Sequence, residues 1–342
     1  MNLVRRIIRS GKFQRLAMCI AWWTGLVNLF YLLNRKAKRV IVFHNVLPDA
    51  MFKDDSTNCA SCNVSKFKRI IDMVARRFRF STDFNDPGTV TITFDDGLLN
   101  QYEIAGGILR SKGDIPAVIF ASGKTLKARS PLDCTFDDQF LFWSSYAPMS
   151  ALAKFTGEHI ESRGAFWGIL RGRFAADSVA KGENVWNELN DIYAFEALYD
   201  SLDPEFRRLR LSGVGEVEIA DMKRRGWKLG WHTESHYPLS SLSDEEARKE
   251  IEAPSDEFRN VPFCFPYGER RSVTSRDIRL AEECGFSMAF NCSNDPVDNL
   301  GRYFAMRMTL PDNRIQLDCM LSGFKYFLDT GRLMAVVNDV GY

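Results

Sequence analysis

From residue 39 onward the chain alternates short β-branched runs with stretches of helical periodicity. That rhythm narrows its architecture to a mainly parallel sheet or barrel wrapped by helices. Arg39 to Phe43, Thr89 to Phe94, Ala117 to Ala121, Lys228 to Trp231, Pro262 to Tyr267 and Met288 to Phe290 read as strands. Between them, Phe67, Ile70, Ile71, Met73 and Val74 give a helical face. Tyr102 to Arg110, Val217 to Arg225, Asp244 to Phe258 and Ser275 to Cys284 read as further helices. Barrels of this kind assemble their chemistry at the C-terminal ends of the strands, so residues that follow strands carry the functional argument.

The rhythm breaks in two places. Residues from about 125 to 212 are helical and aromatic, as in Phe140-Leu141-Phe142-Trp143 and Phe166-Trp167, and read as an insertion between two β-α units. Ahead of the first strand, residues 16 to 33 carry no charge and approach the length of a membrane span, but Thr24, Gly25 and Asn28 dilute them. Arg5, Arg6, Arg9, Lys12 and Arg15 precede this run, and Arg35, Lys36, Lys38 and Arg39 follow it. Leu3, Val4, Ile7 and Ile8 fall at helical spacing between arginines. Residues 1–37 therefore read as an amphipathic helix lying on an anionic membrane surface, with a single span and a helix packed on the domain as alternatives. The catalytic domain is expected over 38–342.

Lys and Arg number 45 against 44 Asp and Glu, so no global charge points to nucleic acid. Eight cysteines lie at 19, 59, 62, 134, 264, 284, 292 and 319 without a framework spacing. They read as buried thiols in a reducing compartment, which places the chain on the cytoplasmic side, at the inner face of the cytoplasmic membrane. Cys59-Ala60-Ser61-Cys62 has no second CxxC to complete a zinc site and reads as a loop leading into a helix near Ser65.

The chemistry concentrates at three strand ends. Thr93-Phe94-Asp95-Asp96-Gly97 closes the run Val90-Thr91-Ile92. Two adjacent carboxylates at the mouth of a buried strand resist joint ionisation unless a cation or a hydrogen-bond network compensates. His232-Thr233-Glu234-Ser235-His236 follows the strand ending at Trp231, and a helical turn there would bring both imidazoles to one ion. With Asp96 they make a three-ligand set with open positions, suited to zinc or another divalent metal, and Asp95 stays free as a base. Phe265-Pro266-Tyr267-Gly268 can fix a loop whose Tyr267 N–H faces the site. A second Thr135-Phe136-Asp137-Asp138 has no strand before it and Gln139 in place of glycine, so it reads as a solvated helix start.

These elements, in this order, resemble the polysaccharide deacetylases of carbohydrate esterase family 4, whose domain is a distorted (β/α) barrel. Residues 93–97 match its TFDDG motif and residues 232–236 its H-(S/T)-x-x-H motif. Its R-x-P-Y motif is matched only in Pro266-Tyr267, with Cys264 where arginine is expected. The resemblance implies Asp95 as general base, Asp96, His232 and His236 as metal ligands, and Tyr267 as oxyanion donor through its amide. No histidine follows 236 to serve as the family's late general acid. Val42-Phe43-His44-Asn45-Val46 resembles the N-terminal strand of the circularly permuted branch, which makes His44 the candidate acid, and Arg307 is a candidate substitute for the missing arginine.

The implied activity is metal-dependent removal of an N-acetyl group from an amino sugar in a cell-surface polysaccharide or lipid-linked glycan. Two alternatives stay open. One is a non-catalytic carbohydrate-binding or membrane-scaffold protein on a degenerate barrel; the other is a deformylase or O-deacetylase.

Overall fold

The computed structural model describes residues 11–53, 60–127, 135–166, 195–267, 272–291 and 307–334. Six parallel strands form one sheet: β1 (Arg39–Phe43), β4 (Val90–Asp96), β5 (Ala117–Ala121), β6 (Lys228–Trp231), β7 (Pro262–Cys264) and β8 (Met288–Phe290), in that spatial order. The short pair β2 (Val46–Leu47) and β3 (Cys62–Asn63) stands apart from it. Register is continuous from Val42 opposite Thr93, through Asp95 opposite Phe120, to Ile119 opposite Leu229. The sheet curls, and Met308 bridges β1 on the edge away from β4 through Val42 N to Met308 O (3.0 Å) and Met308 N to Val40 O (2.8 Å). This curled parallel sheet, a half-barrel, is what the alternating rhythm predicts, and it is consistent with the distorted (β/α) barrel that the family resemblance implies.

The pleat sorts each strand into two faces. Ile41, Phe43, Ile92, Phe94, Ile119, Leu229, Trp231 and Phe263 point outward into the main core, against Phe67, Ile70, Ile71 and Val74 of α3 (Val64–Ala75) and the helices that follow. Val40, Val118, Phe120, Cys264 and Phe290 form a second cluster. Thr91, Thr93 and Asp95 alternate with the outward residues of β4 and share the inward face. Gly230 lets this interior close, because a Cβ there would stand 2.4 Å from the Phe120 ring.

A turn of π-helix at Gln101–Ala105 leads into α4 (Gly106–Ser111), and α5 (Gly123–Lys127) follows β5. Between β5 and β6, in the stretch expected as an insertion, lie α6 (Phe136–Tyr146), α7 (Met149–Thr156), α8 (Phe195–Asp200) and α9 (Pro204–Leu211). Phe140, Phe142, Trp143, Leu152, Phe166 and Phe206 form a core there together with Leu47 of β2. The lookalike at 135–138 does start α6, as expected, though the side chains of Asp137 and Asp138 lie outside the described set. The chain returns to the sheet at Gly213, which bridges Leu98, while Val214 N donates to Gly97 O at 2.9 Å.

The remaining helices are α10 (Glu216–Arg224), α11 (Asp244–Ile251), α12 (Ser275–Glu283), α13 (Arg314–Ser322) and α14 (Phe324–Thr330). α11 is shorter than its apolar pattern predicts, because Pro254 excludes a continued helix and the chain restarts as a 3-10 turn at Asp256–Phe258.

The expected N-terminal helix is present, and over its described residues it is divided into α1 (Gly11–Trp23) and α2 (Leu26–Leu33), bent by 90° at a break where Gly25 takes φ 77°. Both pack on the domain, with Met18, Ala21, Val27 and Phe30 against Cys319 and Phe324. Among the described residues no single helix is long and apolar enough to cross a membrane. Cys62 is buried in β3 and burial pushes its thiol up to about 12, which opposes a reactive role; Cys59 lies outside the described residues.

Candidate active site

Because every strand of the main sheet is parallel, their C-terminal ends share one edge. His44 follows β1, Asp95 and Asp96 end β4, His232 follows β6, Tyr267 follows β7, and Arg307 lies beside β1 after β8. The structure brings all the sequence-predicted ligands together there.

Strict alternation would send Asp95 and Asp96 to opposite faces of the sheet. Asp96 escapes this by taking φ 77°, and Gly97 follows at φ 81°, where a Cβ would stand 2.9 Å from Ala121 Cβ. Asp96 Oδ1 then lies 3.7 Å from His232 Nε2 and 3.6 Å from His236 Nε2. His236 and Thr233 also have positive φ, 62° and 68°. The His232–His236 segment is therefore a strained loop and not the helical turn expected from its spacing. Its backbone is held from outside, by Glu234 N to Glu250 O (3.0 Å), Ser235 N to Glu250 Oε2 (2.8 Å) and Gly123 N to Thr233 O (3.0 Å).

This loop fits a metal. His232 is fully buried and its Nδ1 donates to Cys264 O at 2.7 Å, which fixes the tautomer and turns the Nε2 lone pair outward. That Nε2 is buried with no hydrogen-bond partner among the described residues. An orphaned buried acceptor beside a carboxylate and a second imidazole is the donor set of a zinc-type site. Burial pushes His232 down to about 4, so it is neutral and available as a ligand at physiological pH. Asp96 is held well below the usual carboxylate range: burial opposes its charge, but His44, His236 and His232 outweigh it. Donor atoms around a tetrahedral ion at zinc distances stand roughly 3.4 Å apart, close to the spacings here.

Asp95, His232 and Cys264 form a second cluster of potential ligand atoms. A guanidinium lies against it, which a dication would oppose. Arg307, fully buried, donates from Nη1 to Asp95 Oδ1 at 2.5 Å and from Nη2 to Asp95 Oδ2 at 2.6 Å. Nη2 also meets Cys264 Sγ at 2.7 Å, Nε donates to Asn291 O at 3.1 Å, and the guanidinium sits over the Phe120 ring. Burial works against the Asp95 charge, yet Arg307, His232 and His44 together hold the carboxyl below its usual range. The arginine missing from position 264 thus reaches Asp95 from position 307, and cysteine leaves it room.

His44 bridges the two aspartates, with Nδ1 3.0 Å from Asp96 Oδ2 and Nε2 3.7 Å from Asp95 Oδ2. Tyr267 has φ 60°, is 39% exposed, and its ring centroid lies 5.1 Å from that of His236. The sequence reading missed Gln101, which is buried and donates to the backbone carbonyls of Asp95 and His44, and Glu250, which anchors the histidine loop. Gln101 four residues after Gly97 was the available signal for the first. Nothing near Glu250 in sequence points to residues 232–236.

Residues 174–289 match the family model described as polysaccharide deacetylase, a span that takes in His232, His236, Cys264, Pro266 and Tyr267. No curated protein matches the chain. Among solved structures, the Streptococcus pyogenes deacetylase PplD, in complex with acetate, aligns at 12% identity and TM-score 0.47, covering 80% of this chain and 91% of that one. IcaB from Ammonifex degensii aligns at 16% identity and TM-score 0.44, covering 84% and 97%. BC0361, a polysaccharide deacetylase from Bacillus cereus, aligns at 11% identity and TM-score 0.46, covering 84% and 69%.

Proposed function

We propose that this chain, a relative of the polysaccharide deacetylases, hydrolyses the N-acetyl group of an amino sugar in a cell-surface polysaccharide or its lipid-linked precursor. The orphaned His232 Nε2 beside Asp96 and His236 carries the proposal. A divalent metal held by Asp96, His232 and His236, zinc being the best match to the donors, would supply Lewis acidity at the acyl carbonyl and its attacking water.

The chain's own residues divide the remaining work. Asp95, fixed by Arg307 and kept ionised, takes the proton from the attacking water. The Tyr267 N–H supports the developing oxyanion. His44 protonates the leaving amine, the role that the permuted branch gives to a first-strand histidine. We place the reaction on the inner side of the cytoplasmic membrane, on the strength of cysteines that lack a disulfide framework.

The reading of a degenerate barrel rests on Cys264 and on the absent late histidine; the Asp95–Arg307 pair weighs against the first and His44, set between both aspartates, against the second. The acyl group is decided by assay. Acetate release from N-acetylated amino-sugar oligomers, without formate from N-formyl or acetate from O-acetyl analogues, is the expected outcome. Turnover confined to either analogue would reassign the activity, and none on any acyl sugar would return the chain to a binding role.

His44→Gln separates proton transfer from metal holding, because His44 also touches Asp96. We expect kcat to fall about 100-fold or more with metal content unchanged. Loss of metal in this variant would make His44 a positioning residue for Asp96 instead.

A further inference from the structure

The first 48 residues contain nine basic side chains and no acidic one; Asp49 is the first carboxylate in the chain. Within this stretch α1 and α2 are both two-faced. Met18 and Ala21 of α1, and Val27 and Phe30 of α2, are buried against α13 and α14. The opposite faces carry Phe13, Leu16, Ile20 and Trp23, then Leu26, Leu29, Leu32 and Leu33, all exposed, with Trp23 at 78% and Leu16 at 60%. The first four recur at intervals of three and four residues, so they form one outward stripe. Lys12, Arg15, Arg35 and Lys36 are exposed at the ends of the pair.

We propose that this face docks on an anionic lipid bilayer, the two helices lying in the headgroup region and not crossing it. An apolar stripe with exposed cations at both ends, on a helix pair whose own residues include no carboxylate, complements an anionic interface. A second copy fits poorly, since a twofold contact would bring one basic rim against another.

The pair is also pinned to the domain. Trp22 Nε1 and Tyr31 Oη both donate to Asp318, at 3.0 Å each, Asn34 Nδ2 donates to Ser322 O at 2.9 Å, and Gln14 Nε2 donates to Asp329 at 2.7 Å. Crossing a bilayer would require breaking these contacts; lying on it leaves them intact.

The docking carries a consequence for substrate that rests on the catalytic reading. Arg39, at the start of β1, donates to Leu321 O and Asn34 O, so the docked pair meets the strand end opposite to His44. A five-residue strand is about 15 Å long, which favours a glycan that extends from the membrane over a short headgroup sugar.

Vesicle flotation of the full chain tests the docking independently of any activity. The protein should float with phosphatidylserine-containing vesicles, less with pure phosphatidylcholine, and less in high salt. The triple variant Ile20→Asn, Trp23→Ser, Leu29→Asn should bind about tenfold more weakly or worse, with unchanged thermal midpoint and unchanged acetate release from a soluble oligosaccharide. If that variant fails to fold, the charge-reversal variant Lys12→Glu, Arg15→Glu, Arg35→Glu inverts the rim and should abolish the preference for anionic lipid. The proposal is overturned by no flotation of the wild type, by equal flotation of the variants, or by dimers of the wild type that these substitutions convert to monomers. Flotation gained only by a chain truncated after Met334 would show that the face is covered by the chain's own last residues, and would also overturn it.

Discussion

Asp96→Ala is expected to lose the metal and to lower kcat/KM for N-acetyl hydrolysis by about 1,000-fold or more, the scale of losing several kcal/mol of Lewis-acid stabilisation. The reason is geometric. Among the described residues, Asp96 Oδ1 is the carboxylate oxygen that lies within 3.7 Å of both imidazole nitrogens. Without it two imidazole ligands remain, and an imidazole ligand brings no negative charge to offset a dication. His232→Ala should behave alike, because it deletes the buried Nε2 that has no hydrogen-bond partner among the described residues. Metal content and rate must fall together; a variant that keeps full activity without metal would break the link between them.

Arg307→Met is the second large effect, and it differs in kind. The Asp95–Arg307 pair is fully buried on both sides, so removing the cation strands a charge inside the barrel and should cost about 3–5 kcal/mol of stability at neutral pH. The pH response changes as well. With Arg307 present the Asp95 carboxyl lies below its ordinary value, so its stabilising contribution is complete above that value and is lost as pH falls through the lowered one. Without Arg307, the burial that opposes the charge is countered only by His232 and His44, and the carboxyl rises. The variant should then lose less stability on acidification, and the acid limb of its kcat/KM profile should move to higher pH. Cys264→Arg combined with Arg307→Ala should restore part of the activity, since Cys264 Sγ already lies against the guanidinium that it would replace. An unshifted acid limb in Arg307→Met would show that Asp95 is not the base.

Much of the barrel was legible because its strands are short and buried on both faces. Ala117–Ala121, Lys228–Trp231 and Met288–Phe290 occur where their β-branched and aromatic content predicts. The convergence of Asp96, His232 and His236 was legible because parallel strands deliver their following residues to one edge. What the sequence hid was backbone. Nothing in His-Thr-Glu-Ser-His announces left-handed Thr233 and His236, which are sustained by Glu250 from α11 and Gly123 after β5. Arg307 is named from the sequence as a substitute for the missing arginine, but its fork onto Asp95, 212 residues away, and its contact with Cys264 Sγ come only from the fold. The N-terminal segment read as one helix because periodicity continues across Gly25, whose conformation breaks it in two.

The most direct test of the central claim is the metal stoichiometry of the purified wild type and its His232→Ala variant, measured alongside acetate release. The account predicts one divalent ion per chain in the wild type, loss of acetate release when it is stripped, recovery when it is returned, and neither ion nor activity in the variant. Undiminished acetate release from the stripped wild type, or full metal occupancy in His232→Ala, would contradict it.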